Sequence, residues 1–185
     1  MPAEATPCHI RTERLQLRPY RLEDAPAMLE IFSDPEVTRF LGAGRPIESL
    51  EHMVERIERT VEHQRVHGFS LWIVEDAATG EILGDCGLKM LDGGPDIEIG
   101  YRFRRSAWGK GYATEAARAC MAYGHEHLGI RRIVAVVQPA NIPSQRIARK
   151  LGLIAAGPAR YYQSDCIYFS PDGSMPERSE TSTQS

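Results

Sequence analysis

The chain has little cysteine: four in 185 residues, Cys8, Cys86, Cys120 and Cys166. No two of them have metal-ligand or redox spacing, so a disulfide framework and a cysteine-based metal centre are excluded, and reduced thiols in a cytoplasmic protein are expected. No apolar run is long enough to span a membrane, and the N-terminus carries no signal-peptide core. An excess of basic charge is also missing. Lys and Arg total 22 against 25 Asp and Glu, a formal net charge of -3, which argues against bulk binding to nucleic acid. His63 and His67 stand one helical turn apart, but Gln64 fills the place where a zinc-protease helix needs glutamate. These histidines therefore read as part of a solvated helix face, and no metal site is expected.

The remainder suits one globular domain with a real core: 42% hydrophobic and 25% charged residues. Residues 1–11 read as a flexible leader, 12–169 as a single domain, and 170–185, polar and rich in Ser, Thr and Glu, as a disordered tail. Period-two alternation marks a strand at Leu15 to Pro19. Helical stripes follow over Arg21 to Phe32 and Ser49 to His67, separated by the breaker Ser33-Asp34-Pro35. Strands are expected at Phe69 to Glu75, Ile82 to Met90 and Ile97 to Phe103. A helix from Ala113 carries small residues on its inner face, and Ile130 to Val137 reads as a central strand. A short helix over Ser144 to Leu151 and closing strands at Leu153 to Ala159 and Cys166 to Phe169 complete the order.

The most informative stretch is Ile97 to Ala116, a strand, a cationic glycine turn and a helix start. A P-loop needs Gly where Arg104 stands and Ser or Thr where Gly111 stands. A Rossmann fingerprint needs Gly or Ala where Thr114 stands. Both are excluded. Gly109-x-Gly111-x-Ala113 remains, and the N–H groups from about Gly109 to Thr114 can wrap a pyrophosphate, with Lys110, Arg104 and Arg105 adding charge. The same turn also reads as a tight strand-to-helix connection with a solvated basic rim.

Three sets of residues point further. They are Glu98-Ile99-Gly100-Tyr101 running to Trp108-Gly109-Lys110-Gly111-Tyr112-Ala113-Thr114-Glu115-Ala116; Asn141-x-x-Ser144-x-Arg146 running to Leu151-Gly152-Leu153; and the opening Thr12-Glu13-Arg14-Leu15-x-Leu17-Arg18. In this order they resemble the GNAT N-acetyltransferase superfamily, in particular its RimJ/RimL-like branch, over nearly all of residues 12–169. The resemblance implies an α/β fold, a mixed and mostly antiparallel sheet flanked by four helices, with central strands that splay to admit acetyl-CoA.

It further implies transfer of an acetyl group to a primary amine, on a protein N-terminus or a small molecule, by direct attack. A non-catalytic acyl-CoA-binding module on the same fold is the competing reading. By the resemblance, the amides of Trp108, Gly109, Lys110, Gly111, Tyr112, Ala113 and Thr114 hold the CoA pyrophosphate. Tyr101, Arg102 and Phe103 lend strand backbone to the pantetheine arm, Asn141 bonds to it, and Arg104 adds charge on the cofactor side. Trp108 stands where the family often has Gln or Arg.

Glu98 is the candidate base, partly desolvated by Ile97 and Ile99, or else an ordinary strand carboxylate. Ser144 is the candidate donor toward the departing sulfur, because the family's usual tyrosine is replaced by Ala148; it reads equally as a helix cap. Trp72, Tyr161, Tyr162 and the loop Asp34 to Leu41 are candidates for the acceptor side, with Asp34, Glu36 and Glu48 hinting at attraction of a cation. A monomer or homodimer is expected, with no metal, nucleic acid or membrane partner.

Overall fold

β-branched and alternating segments assemble one sheet whose two faces are each covered by helices. The computed structural model describes residues 9–176. Its strands are β1 Ile10–Arg11, β2 Leu15–Pro19, β3 Leu71–Asp76, β4 Ile82–Met90, β5 Ile97–Phe103, β6 Ile133–Val137, β7 Ile154–Tyr161 and β8 Ser164–Ser170. They lie side by side in the order β1-β2-β3-β4-β5-β6-β8-β7. Every neighbouring pair is antiparallel except β5 and β6. The helices are α1 Ala25–Phe32, α2 Pro35–Thr38, α3 Leu50–His67, α4 Tyr112–Glu126 and α5 Ile142–Lys150.

The helix count corrects the expected four. Ser33-Asp34-Pro35 does end α1, but Asp34 then caps a further short helix, accepting the Glu36 N–H at 3.0 Å, with Pro35 preset for the first turn. Strand β6 begins later than expected. The Ile130 N–H bonds back to the Gly124 carbonyl and closes the end of α4, so the chain pairs only from Ile133. Leu22–Asp24 is a 3-10 turn rather than the start of α1.

The core divides at the sheet. Side chains such as Leu17, Trp72, Leu88 and Ile99 meet Ala116, Ala117 and Cys120 of α4 on one face. Leu71 and Ile73 meet Met28, Ile31 and Phe32 of α1 and Met53 and Ile57 of α3 on the other. Close approach of α4 depends on Gly124, where a Cβ would come within 2.7 Å of Leu88 Cδ1 and 3.0 Å of Ile133 Cδ1. Cys86, Cys120 and Cys166 are buried thiols rather than disulfides, with the first two sulfurs 3.7 Å apart; Cys8 lies outside the described residues.

Both expected terminal segments are partly structured. Ile10–Arg11 pairs with β2. Arg132 bonds to Asp172 at 2.9 Å and to the Ser174 carbonyl at 2.8 Å, tying down the chain just beyond β8. The rest of the expected leader and tail, residues 1–8 and 177–185, lies outside the described residues. Among the described residues, no helix is long and apolar enough to cross a membrane, and no group of His, Cys, Asp and Glu is arranged to hold a metal ion.

Candidate active site

The parallel pair β5 and β6 bonds only at Ile97–Ile133 and Glu98–Val134 and then parts, while β6 turns to pair with β8 from Ala135 onward. The edge of β5 from Ile99 to Phe103 is thereby left facing a groove of about 1130 Å³. Along the groove lie Tyr101, Gly109, Gly111, Thr114, Asn141 and Ser144 at one end, and Glu98, Lys89, Arg56, Arg102 and Tyr162 at the other.

Backbone builds the first end. Gly111, in the left-handed region at φ 83°, is the N-cap of α4 and supplies no side chain to its first turn. Glu115 is the first residue to bond back, to the Gly111 carbonyl. The N–H groups of Gly109 to Thr114 have no backbone partner among the described residues and coincide with the positive end of the α4 dipole.

The turn is fastened from the far edge of the sheet. Glu115 accepts from Thr12 Oγ1 at 2.6 Å, Arg14 Nε at 2.7 Å and the Arg14 N–H at 3.0 Å, while Arg14 also bonds the Lys110 carbonyl at 2.9 Å. The opening Thr12-x-Arg14 and the Glu115 of the helix thus form one clasp, which sequence reasoning missed because its parts lie about a hundred residues apart.

Charges near the turn are distributed differently from the sequence expectation. Arg104 pairs with Glu81 and Glu30, and Arg105 with Asp34 at 2.6 Å. Lys110 is exposed beside the turn, and Arg146 and Lys150 line the groove. The Trp108 indole N–H bonds the Phe103 carbonyl at 2.7 Å, laying its ring along the groove rim.

On α5, Asn141 is the cap: its Oδ1 accepts the Ser144 N–H at 3.2 Å. That leaves the Asn141 amide NH2 without a partner among the described residues and frees the Ser144 hydroxyl from a capping role. The hydroxyl lies 2.8 Å from the Tyr101 phenol, which also reaches the Ser144 carbonyl at 3.3 Å. Burial pushes the Tyr101 pKa up to about 12, so it stays protonated near neutrality. When that phenol donates to Ser144, the serine proton is free to point into the groove.

At the other end, strands β4 and β5 carry two cross-strand ion pairs in register on one face, Lys89 opposite Glu98 and Asp85 opposite Arg102. Between them Gly87 faces Gly100; the Ser70 backbone covers Gly87, while Gly100 leaves a bare patch of groove floor. Glu98 is only 4% exposed, not an ordinary surface carboxylate. Its Oε1 takes Lys89 Nζ at 2.9 Å and the Tyr162 hydroxyl, while Oε2 has no partner among the described residues.

Tyr162 reaches this place because the β7–β8 hairpin turns through two left-handed residues, Tyr162 at φ 51° and Gln163 at φ 60°. Its backbone N–H bonds to Asp92 Oδ2, and its hydroxyl accepts the Asp92 N–H, each at 3.0 Å. Burial and the neighbouring Glu98 charge raise the Tyr162 pKa, and burial lowers that of Lys89 against the pull of Glu98.

Asp85 is fully buried and its Oδ2 accepts from Tyr20 at 2.6 Å and Arg102 at 2.8 Å, with Arg56 at 3.9 Å. Burial works against the Arg102 charge, but Asp85 more than offsets it and the pKa is raised. Arg56, with a more distant partner, is lowered by burial and by the neighbouring Arg102 charge.

The loop Asp34 to Leu41 lies over this end, as expected. It is tied across the groove by Gln138 to the Phe40 carbonyl at 3.4 Å, and Ser164 bonds the Gly42 carbonyl at 3.2 Å. Of the aromatic candidates only Tyr162 lines the groove. Trp72 is core, edge-on to Tyr123, and Tyr161 packs by Tyr168. His63 is not on a solvated face. Its Nδ1 bonds the Phe69 carbonyl at 2.8 Å and its Nε2 accepts the Met90 N–H at 3.3 Å, which assigns the neutral Nδ1–H tautomer. Of the acidic residues Asp34, Glu36 and Glu48, only Glu36 lines this groove, together with Glu98 and the cations Arg39, Arg56, Arg59, Lys89 and Arg102.

A family model described as an acetyltransferase (GNAT) domain matches residues 14–154. The uncharacterized N-acetyltransferase p20 of Bacillus licheniformis is 36% identical over 155 residues, 82% of this chain and 85% of that protein. The crystal structure of an acetyltransferase from Agrobacterium tumefaciens superposes with a TM-score of 0.76 at 28% identity, covering 88% of this chain and 93% of that one. RimL, a ribosomal L7/L12 α-N-protein acetyltransferase solved with coenzyme A, shares the fold with a TM-score of 0.76 at 18% identity, over 88% of this chain and 97% of that one. With a groove between splayed strands, an uncapped helix start along it and relatives that match over most of its length, the chain belongs to the GNAT acetyltransferase family.

Proposed function

We propose that the protein is an acetyl-CoA-dependent N-acetyltransferase of the RimJ/RimL-like branch, working on a primary amine by direct attack. The observation that carries this reading is the continuity of the groove. It joins the unpartnered amides of Gly109 to Thr114, the open edge of β5 and the buried carboxylate of Glu98 in one space. The donor set fits the group: main-chain N–H donors for the pyrophosphate, and strand backbone at Tyr101 to Phe103 together with the Asn141 amide for the pantetheine arm. Bound acetyl-CoA supplies an activated thioester.

The protein's own residues then bind, orient and move protons. Glu98, through its free Oε2, takes the proton that makes the acceptor amine neutral, directly or through a water. Tyr162 and Lys89 hold the other carboxylate oxygen in place. Ser144, backed by the Tyr101 phenol, donates toward the departing sulfur. Tyr101 fills the gap left by Ala148, approaching from β5 instead of from α5. The free thiols fit a cytoplasmic setting, and a monomer or homodimer suffices because all these groups lie on one chain.

The test is an amine panel that includes peptide α-amines and small amines, assayed for acetyl-CoA-dependent thiol release. Turnover on at least one amine is expected, and a large loss in Glu98→Gln. Saturable acetyl-CoA binding with no release on any amine would overturn the reading and leave an acyl-CoA-binding module.

A further inference from the structure

The acceptor end holds more positive charge than its own carboxylates neutralise. Lys89 is matched by Glu98. Arg56 and Arg102 share the single carboxylate of Asp85, which leaves one positive charge over between them. Arg102 gives one nitrogen to Asp85, and its Nη1 makes no hydrogen bond among the described residues. That Nη1 lies over the bare floor, 3.6 Å from where a methyl group on Gly100 would stand.

The Arg56 guanidinium makes no hydrogen bond at all among the described residues, and its nearest carboxylate oxygen is 3.9 Å away. Its side chain remains 27% exposed, toward the groove. Both guanidiniums lie against the Phe32 ring, 4.5 Å and 5.7 Å from its centre. Desolvated cationic donors without partners are costly unless a ligand completes them.

We propose that the acceptor amine also carries a carboxylate, held by Arg56 and Arg102 over the Gly100 floor while its amino group faces Glu98. This rests on the transferase reading above and names the substrate class for that site. The cationic donors left over match an anion, and a guanidinium fork matches the two oxygens of a carboxylate. The loop tied across the groove at Phe40 and Gly42 encloses this end. It therefore suits a small amino acid, α or ω, rather than a long peptide.

The test uses the whole protein saturated with CoA. Binding is measured for N-acetyl derivatives of α- and ω-amino acids, their carboxamides, matching N-acetyl aminoalkylphosphonates and N-acetylated hexapeptide amides, by calorimetry and thermal shift. At least one carboxylate is expected to bind about tenfold or more tighter than its carboxamide. Arg56→Met should erase that preference and leave CoA binding unchanged. Gly100→Ala, whose methyl would make only ordinary contacts with Leu71 and Arg102, should weaken carboxylate binding as well, independently of how Arg56→Met folds.

Carboxamides binding as tightly as carboxylates would overturn the proposal. So would tighter binding of the phosphonates, which assigns a phosphoryl group instead, or of the peptides. Loss of the transferase reading shows separately, as absence of CoA binding or of thiol release. The carboxylate preference is read in the CoA-free protein too.

Discussion

The two ends of the groove are built from different materials. The cofactor end is backbone: unpartnered N–H groups at a glycine-capped helix start and an open strand edge, with the nearby arginines Arg104 and Arg105 committed to Glu81, Glu30 and Asp34. The acceptor end is side chain: Lys89–Glu98, Asp85–Arg102, Arg56 and Tyr162, most of them buried and nearly all engaged. A backbone site depends on chain path and tolerates changes of side chain. A site of buried charges has its stability, electrostatics and selectivity bound together, so a change to one group disturbs the others.

Glu98→Gln puts the largest strain on this contrast. It keeps the side chain's shape and an acceptor oxygen for Tyr162 but removes the proton acceptor, so kcat is expected to fall by roughly 10²–10⁴-fold with KM for acetyl-CoA little changed. A matching rise in KM for acetyl-CoA would mean that the two ends are not separable. Asp85→Ala is next. It leaves the Arg56 and Arg102 guanidiniums uncompensated in the interior and is expected to cost about 3–5 kcal/mol in urea unfolding. A loss under 1 kcal/mol would show that water already compensates those charges.

At the cofactor end, Gly111→Glu forces a side chain into the left-handed region and sets a negative charge at the anion-binding amides. Affinity for CoA should drop roughly 100-fold in a binding titration. Trp108→Ala should do little, shifting the CoA Kd by less than about threefold, because the ring is a half-exposed rim and the donors beneath it are main-chain. A large effect from Trp108→Ala would break the claim that this end is built from backbone.

The same contrast explains what could be read in advance. Backbone sites leave contiguous traces. Gly109-x-Gly111-x-Ala113 lies in one stretch, β4 and β5 run from Ile82 to Met90 and from Ile97 to Phe103 as their alternation indicates, and Ser49 caps α3 as its residue type favours. The acceptor end leaves no such trace. Arg56 on α3, Asp85 on β4 and Tyr162 in the last hairpin meet only through sheet register and helix placement, and each alone looks like a surface residue of its element. The partial exception is Glu98, whose neighbours Ile97 and Ile99 signal burial, although its pairing with Lys89 depends on a cross-strand register that one segment cannot reveal. Gly87 and Gly100, thirteen residues apart in the chain, come to face each other for the same reason.

His63 provides the smallest and most discriminating test, because it lines the acceptor end yet is satisfied entirely by backbone. Burial lowers its pKa, partly opposed by the bond to the Phe69 carbonyl, and the positive charges of His67 and Lys89 add to the lowering. The unfolded chain, with a histidine pKa of about 6.5, takes up the proton first as pH falls. Stability from this group is therefore complete above about pH 6.5 and is lost as pH falls below that value toward the depressed folded pKa. The side chain remains partly solvated, so the effect is modest, about a degree in Tm between pH 7.5 and 5.5. His63→Gln should flatten that part of the Tm profile and leave kcat unchanged at pH 7.5, because a neutral amide can bond the same carbonyl and N–H. A collapse of kcat in His63→Gln would instead place the ring in the chemistry, and the acceptor end would then have a second titrating group facing the amine.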